Sequence, residues 1–296
     1  MPTETVHGLA ADAANGEAVA RIFEAKGRPR FNPLIAHVGS LDMAERIVAF
    51  DARARSLAAA FWPGPLTLVM PLRETASIHP LATAGLATTA VRWPVGPLAE
   101  LAEGLDRPLV APSANVSGRV SPTRTEHVLD DLAPRLDPVR DVIVAGQGVA
   151  GVGIESAIVS LAGRATLLRP GGVAREEIER VLGEPLARLQ GQVIAPGMMA
   201  SHYAPRGAVR LDARHVEPHE FLVGFGPRRV PGVPSGMFQL SEAGDTAEAA
   251  RRVFDALHAA NAAGAGAIAV EPIPSRGLGE AINDRLGRAA APRSDG

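Results

Sequence analysis

Apolar and polar positions change period repeatedly along the chain, and the changes predict alternating helices and strands. From Asn15, the apolar residues Val19, Ile22 and Phe23 recur at helical spacing until Gly27 stops the pattern. Asn15 is a good N-cap, so a first helix is predicted, with Lys26 on its last turn and Arg28 in the loop beyond. "PLIAHV" reads as a strand, followed by a helix from about Leu41 to Ala60 capped by Ser40. Short apolar runs predict strands at "LTLVMPL", "TTAVRWP", "RPLVAP" and "DVIVAG". "ESAIVSLAGRATLLRPGG" reads as a hairpin turning at Ala162-Gly163-Arg164, and the helix "AREEIERVLG" closes the unit near residue 185.

Between about 186 and 207 the period is lost in a Gly- and Pro-containing stretch, read as a linker. It carries the only tyrosine, Tyr203, beside His202. Strand-like "AVRLDA", "EFLVGFG" and "GMFQL" follow, then the helix "TAEAARRVFDALHAANAAG", the strand "AIAVEPIP" and the helix "GEAINDRLGRAA". The predicted organisation is an α/β or α+β unit over 1–185, a linker over 186–207, a small Rossmann-like α/β domain over 208–290, and a frayed tail over 291–296.

Composition narrows the function classes. The chain has 296 residues, enough for two domains, and its 4% aromatic content means a core built from Ala, Val, Leu and Ile. A net charge of −2 argues against a generally basic surface for nonspecific nucleic-acid binding, while leaving room for a local basic groove. With no cysteine, disulfides, thiolate zinc sites and cysteine nucleophiles are excluded. There is no signal-peptide pattern and no apolar run near the roughly 20 residues that span a bilayer, so a cytoplasmic protein without a membrane segment is expected. No Walker loop or dinucleotide fingerprint occurs.

Of the 30 Lys and Arg residues, Lys26 is the single lysine. Lysine offers a compact point charge, whereas arginine offers a rigid bidentate fork. Lysine in an otherwise arginine-only chain marks either a phosphate site, on a rim where it packs little, or a chance surface residue at a helix C-terminus. "APSANVSGRVSPT", residues 111–123, places small hydroxyl and amide side chains directly after a strand, suited to a polar ligand or to capping the next helix.

Taken together, Lys-Gly-Arg-Pro with Asn-Pro-Leu-Ile, Ser-Ala-Asn near Ser-Pro-Thr, the opening "PTETVHGLAADA", "ESAIVS" and "LLRPGG" resemble the YrdC-type threonylcarbamoyl-AMP synthases. "APGMMASHYAP" and "GLGEAINDRLGRAA" resemble the long form with a C-terminal domain. The resemblance implies a twisted, mixed α/β sheet with a deep basic cavity, and an enzyme joining L-threonine, bicarbonate and ATP into threonylcarbamoyl-adenylate with release of pyrophosphate. Mg²⁺ would accompany ATP, and the product would serve tRNA modification through a threonylcarbamoyl-transferase complex.

By the same resemblance, Lys26 and Arg28 are catalytic and bind the ATP phosphates. Asn32, Thr88, Asn115, Thr123, Arg169 and Tyr203 hold the nucleotide, with the linker as a lid, while Thr5, His37, Arg92, Ser113 and Ser156 surround threonine. No residue is assigned to a metal. His37 could equally be a core histidine, Arg92 a surface partner of Trp93, and His202 with Tyr203 a pin for the linker. His7, Ala157 and Ser160 depart from the family pattern, which usually has tyrosine, threonine and aspartate there. The chain opens at the first motif, so the expectation is a sheet without the helix and strand that normally lead into it. A carbamoyl-adenylate enzyme with another amine substrate and a noncatalytic RNA-binding relic are the alternative readings.

Overall fold

The computed structural model describes residues 1–146, 150–188 and 202–292, arranged around two sheets. The first takes Ala11–Asp12 (β1), Ile35–His37 (β2), Leu66–Pro71 (β3), Thr88–Arg92 (β4), Leu109–Val110 (β5), Ala157–Ser160 (β6), Thr166–Arg169 (β7) and Ala187–Arg188 (β8). Its order is β1-β5-β2-β4-β3-β6-β7-β8, with β2/β4, β3/β6 and β7/β8 parallel and the other pairs antiparallel, a mixed sheet. The second takes Ala208–Arg210 (β9), Glu220–Gly224 (β10), Gly236–Gln239 (β11) and Ala267–Val270 (β12). These four are all parallel, in the order β11-β10-β12-β9.

The helices are Gly16–Lys26 (α1), Leu41–Ile47 (α2), Ala52–Phe61 (α3), Pro80–Thr83 (α4), Pro97–Leu105 (α5), Thr125–Asp131 (α6), Arg175–Leu182 (α7), Thr246–Ala262 (α8) and Leu278–Ala290 (α9). α1 begins and ends where its caps dictate. Asn15 accepts hydrogen bonds from the N–H groups of Glu17 and Ala18, and Gly27 takes the left-handed conformation at φ 60°. The helix expected from Leu41 to Ala60 is two helices. Residues 48–50 leave the helical path to join the end of β3, where Val48 bridges Leu72 and the Ala49 N–H donates to Pro71. Asp51 then caps the second helix.

"DVIVAG" is not a strand. It finds no ladder partner among the described residues, and Val142 lies 82% exposed. β-propensity alone does not hold a strand without a neighbour to satisfy its backbone. Residues 187–188, expected in the linker, add β8 to the sheet beside β7. The rest of that stretch, 189–201, lies outside the described residues, as does 293–296 of the expected tail.

The period of two along each strand divides the first sheet into two faces. Leu66, Leu68, Val91, Val159 and Leu167 pack with α2, α3 and α7. Ile35, Val69, Ala90 and Ile158 form the opposite face. Register therefore carries His37, Thr67, Thr88 and Arg92 to that opposite face, because each stands two residues from one of these positions. Leu68 is fully buried in the central strand β3. Leu68→Ala is expected to cost about 2–5 kcal/mol, read as a lower urea midpoint at unchanged slope. A loss below about 1 kcal/mol would contradict the packed helix-side core.

Candidate active site

α1 delivers Lys26 into the interior, against the reading of a surface or rim lysine: the residue is 1% exposed. Its ammonium donates to the carbonyls of Ser113 at 2.6 Å and Asn115 at 2.5 Å. Two of its three N–H directions are spent this way. Burial, reinforced by the neighbouring Arg28 charge and opposed by Asp131, pushes its pKa well below the ordinary lysine value. The returning Ser117 N–H donates to the Lys26 carbonyl, so the helix end and the Ser-Ala-Asn loop hold each other.

Arg28 is buried just past the helix. It donates through Nε to the Asn32 carbonyl at 3.1 Å, and through Nη2 to Asn32 Oδ1 at 2.7 Å and the Pro33 carbonyl at 2.8 Å. Burial and the facing Arg169 charge lower its pKa to about 10. Arg169, the last residue of β7, donates to the Ser156 carbonyl at 2.9 Å and to Ser156 Oγ at 3.2 Å. His202 lies within the field of Lys26, Arg28 and Arg169, and burial, with these charges adding, drops its pKa to about 3.

On the strand face, Arg92 is 4% exposed, which overturns the surface-pair reading. Its Nη2 donates to Thr5 Oγ1 at 3.0 Å and pairs with Glu4 Oε1 at 2.7 Å, while Nε donates to the Gly64 carbonyl at 3.3 Å. His37 stands beside Arg92 in register. Ser156 and Thr67 share a hydrogen bond of 2.7 Å. Thr88 opens β4 half-buried on the same face, and half-buried Ser113 supplies its carbonyl to Lys26.

Three assigned residues keep a buried polar atom with no hydrogen-bond partner among the described residues: Asn32 Nδ2, His37 Nδ1 and Asn115 Oδ1. Such atoms are costly unless a ligand completes them. Thr123 differs, since its hydroxyl donates at 2.5 Å to Asp255 of α8. Tyr203 is also wrapped by the second unit, 1% exposed with its ring centroid 5.4 Å from that of Phe254, and holds φ at 61°. Glu4 and Thr67 were missed from sequence. A lone hydroxyl inside the apolar run "LTLVMPL" was the available signal for Thr67. A groove of about 580 Å³ between α1 and residues 135–141 contains none of the assigned residues.

Comparison with known proteins identifies the family. Residues 1–171 match the family described as "Telomere recombination", and residues 173–291 match the threonylcarbamoyl-AMP synthase C-terminal domain. The chain is 39% identical to the threonylcarbamoyl-AMP synthase of Pyrococcus abyssi, across 99% of this chain and 90% of that protein. It is 38% identical to the Bacillus subtilis one, across 99% and 89%. The crystal structure of P. abyssi Sua5 complexed with L-threonine superposes with a TM-score of 0.86 at 36% identity, covering 98% of this chain and 89% of that one. The chain belongs to the threonylcarbamoyl-AMP synthase family, in its two-domain form. Among the described residues, no helix is long and apolar enough to cross a membrane.

Burial also depresses His37 to about 3, and His7 and His127 to about 4. These rings stay neutral in the folded chain at pH values where the unfolded chain, titrating near 6.5, takes up protons. The contribution of these rings to folding stability is expected to be full above pH 6.5 and to fall between pH 6.5 and 4.5, above the ordinary carboxylate range. A thermal midpoint level across that window would show that the rings are solvated.

Proposed function

We propose that this chain condenses L-threonine, bicarbonate and ATP into threonylcarbamoyl-adenylate, releasing pyrophosphate and water, and works in the cytoplasm. The adenylate would feed a transferase that modifies the adenosine beside the anticodon of certain tRNAs. The observation that carries the reading is the convergence of buried Lys26, Arg28 and Arg169 next to a strand face presenting His37, Arg92 and Ser156. A site with three buried cations suits a polyanion, and one with a separate buried arginine suits a carboxylate as well.

The carbamate oxygen of carboxylated threonine attacks the α-phosphorus, and the bond to the β-phosphate oxygen breaks as pyrophosphate leaves. Lys26 keeps one N–H direction, and Arg28 keeps Nη1, for the phosphate oxygens whose charge grows in that step. A phosphate also favours the ammonium that burial disfavours, so binding tightens as negative charge develops. Arg92 keeps Nη1 for the threonine carboxylate, with His37, Thr5, Ser113 and Ser156 around the amino acid.

Asn32, Thr88, Asn115, Thr123, Arg169 and Tyr203 surround the nucleotide in this reading, Tyr203 closing it from water. Mg²⁺ would accompany the triphosphate and neutralise part of its charge. Pyrophosphate release is expected to require both L-threonine and bicarbonate. Lys26→Met is expected to slow it by about 100-fold or more. Release that ignores either co-substrate, or a Lys26→Met variant at the parent rate, overturns the reading.

A further inference from the structure

Among the described residues, the largest fully buried side chain belongs to the second domain. Arg285 on α9 has 0% exposure, yet it reaches into the first domain. Its Nε donates to Glu155 Oε2 at 2.8 Å, its Nη2 to the Pro170 carbonyl at 2.9 Å, and its Nη1 to Asp284 Oδ2 at 2.6 Å. Its Cζ lies 5.3 Å from the centroid of the Tyr203 ring, a cation–π distance. Each of the first two acceptors is the chain neighbour of an assigned site residue: Glu155 precedes Ser156, and Pro170 follows Arg169. Glu155 is itself fixed from the other side, since Ser121 Oγ donates to its Oε1 at 2.6 Å.

We propose that Arg285 is a positioning residue for the adenylation site, holding Ser156, Arg169 and Tyr203 in one arrangement from the second domain. The inference rests on the function proposed above for its kinetic consequence, though not for its geometry. Ser156 and Arg169 touch each other, at 2.9 and 3.2 Å, but belong to different arms of a hairpin, Ser156 just before β6 and Arg169 ending β7, with an irregular register between Ile158 and Val159. Such a junction can shift unless both strands are pinned at the same level. One guanidinium bonded to residue 155 and residue 170 supplies that pin, and its planar fork fixes direction as well as distance.

Stability alone is a poor reason for the arrangement. A buried ion pair often does no better than a well-packed apolar pair of the same volume. Lysine, with one nitrogen at the end of a flexible stem, cannot satisfy acceptors on two strands while covering the Tyr203 ring.

Because Tyr203 is the only tyrosine, selectively labelled tyrosine gives one set of ring resonances in the whole chain. The test compares the parent with Arg285→Lys and Arg285→Met, each shown to be folded by circular dichroism. The ring resonances should move in both variants. The KM values for L-threonine and ATP should rise about tenfold in Arg285→Met, with a smaller rise in Arg285→Lys as partial rescue. Glu155→Gln, which keeps the shape and leaves a weaker acceptor, should raise both KM values in the same direction, and adding Arg285→Met to it should give less than the product of the two effects.

Unmoved tyrosine resonances in folded variants would overturn the positioning role whatever the enzyme's activity. Parent-like KM values with only a lower thermal midpoint would reduce Arg285 to a structural tie and overturn it equally. If the parent itself releases no threonine-dependent pyrophosphate, the proposed function fails while the resonances still decide whether Arg285 places Tyr203.

Discussion

Holding three cations in a dry interior is the constraint from which much of this structure follows. Lys26, Arg28 and Arg169 are each less than 9% exposed. Taking such charges out of water is expensive unless hydrogen-bond acceptors replace the solvent. The replacements are mainly carbonyl oxygens, those of Ser113 and Asn115 for Lys26, Asn32 and Pro33 for Arg28, and Ser156 for Arg169. Carbonyl dipoles lower the cost without neutralising the charge. The site therefore keeps a positive field, which a carboxylate cage would have cancelled. Glu155, one of the acids near this field, is itself committed to Arg285 and Ser121.

The sheet beneath contributes by register rather than by any special residue. Period-two alternation sends one set of side chains to the helix-packed core and the other to the opposite face with the candidate site, so a strand such as "TTAVR" serves both at once. A one-residue slip would exchange Arg92 for Val91 at the site. The apolar packing of α2, α3 and α7 is thus also what aims the polar residues.

Legibility from sequence tracked the range of the deciding interaction. α1 was readable at both ends because Asn15 and Gly27 act within a turn of themselves. The hairpin around Gly163 and the parallel second sheet were readable for similar local reasons. The break between α2 and α3 was not, because it depends on Val48 meeting Leu72. "DVIVAG" carried strand-forming residues, but a strand needs a neighbour that the sequence does not display. At the site, the solitary lysine and the Ser-Ala-Asn loop stood out, and family resemblance gave them roles. Their contact spans 87 and 89 residues, so the burial of Lys26 could not be read. The hydroxyl of Thr123 meeting Asp255 and the stacking of His127 on His258, with centroids 3.6 Å apart, lay equally out of reach.

α9 is the last described helix of the chain, and Arg285 on it meets a partner 130 residues earlier. During synthesis the first sheet therefore emerges with Glu155 lacking its counter-charge, and with Ser156 and Arg169 unclamped. A chain released before residue 285 carries every assigned side chain and none of the strap across them. The strap is therefore made after every side chain it spans, and the first sheet has to fold before α9 exists to cross it.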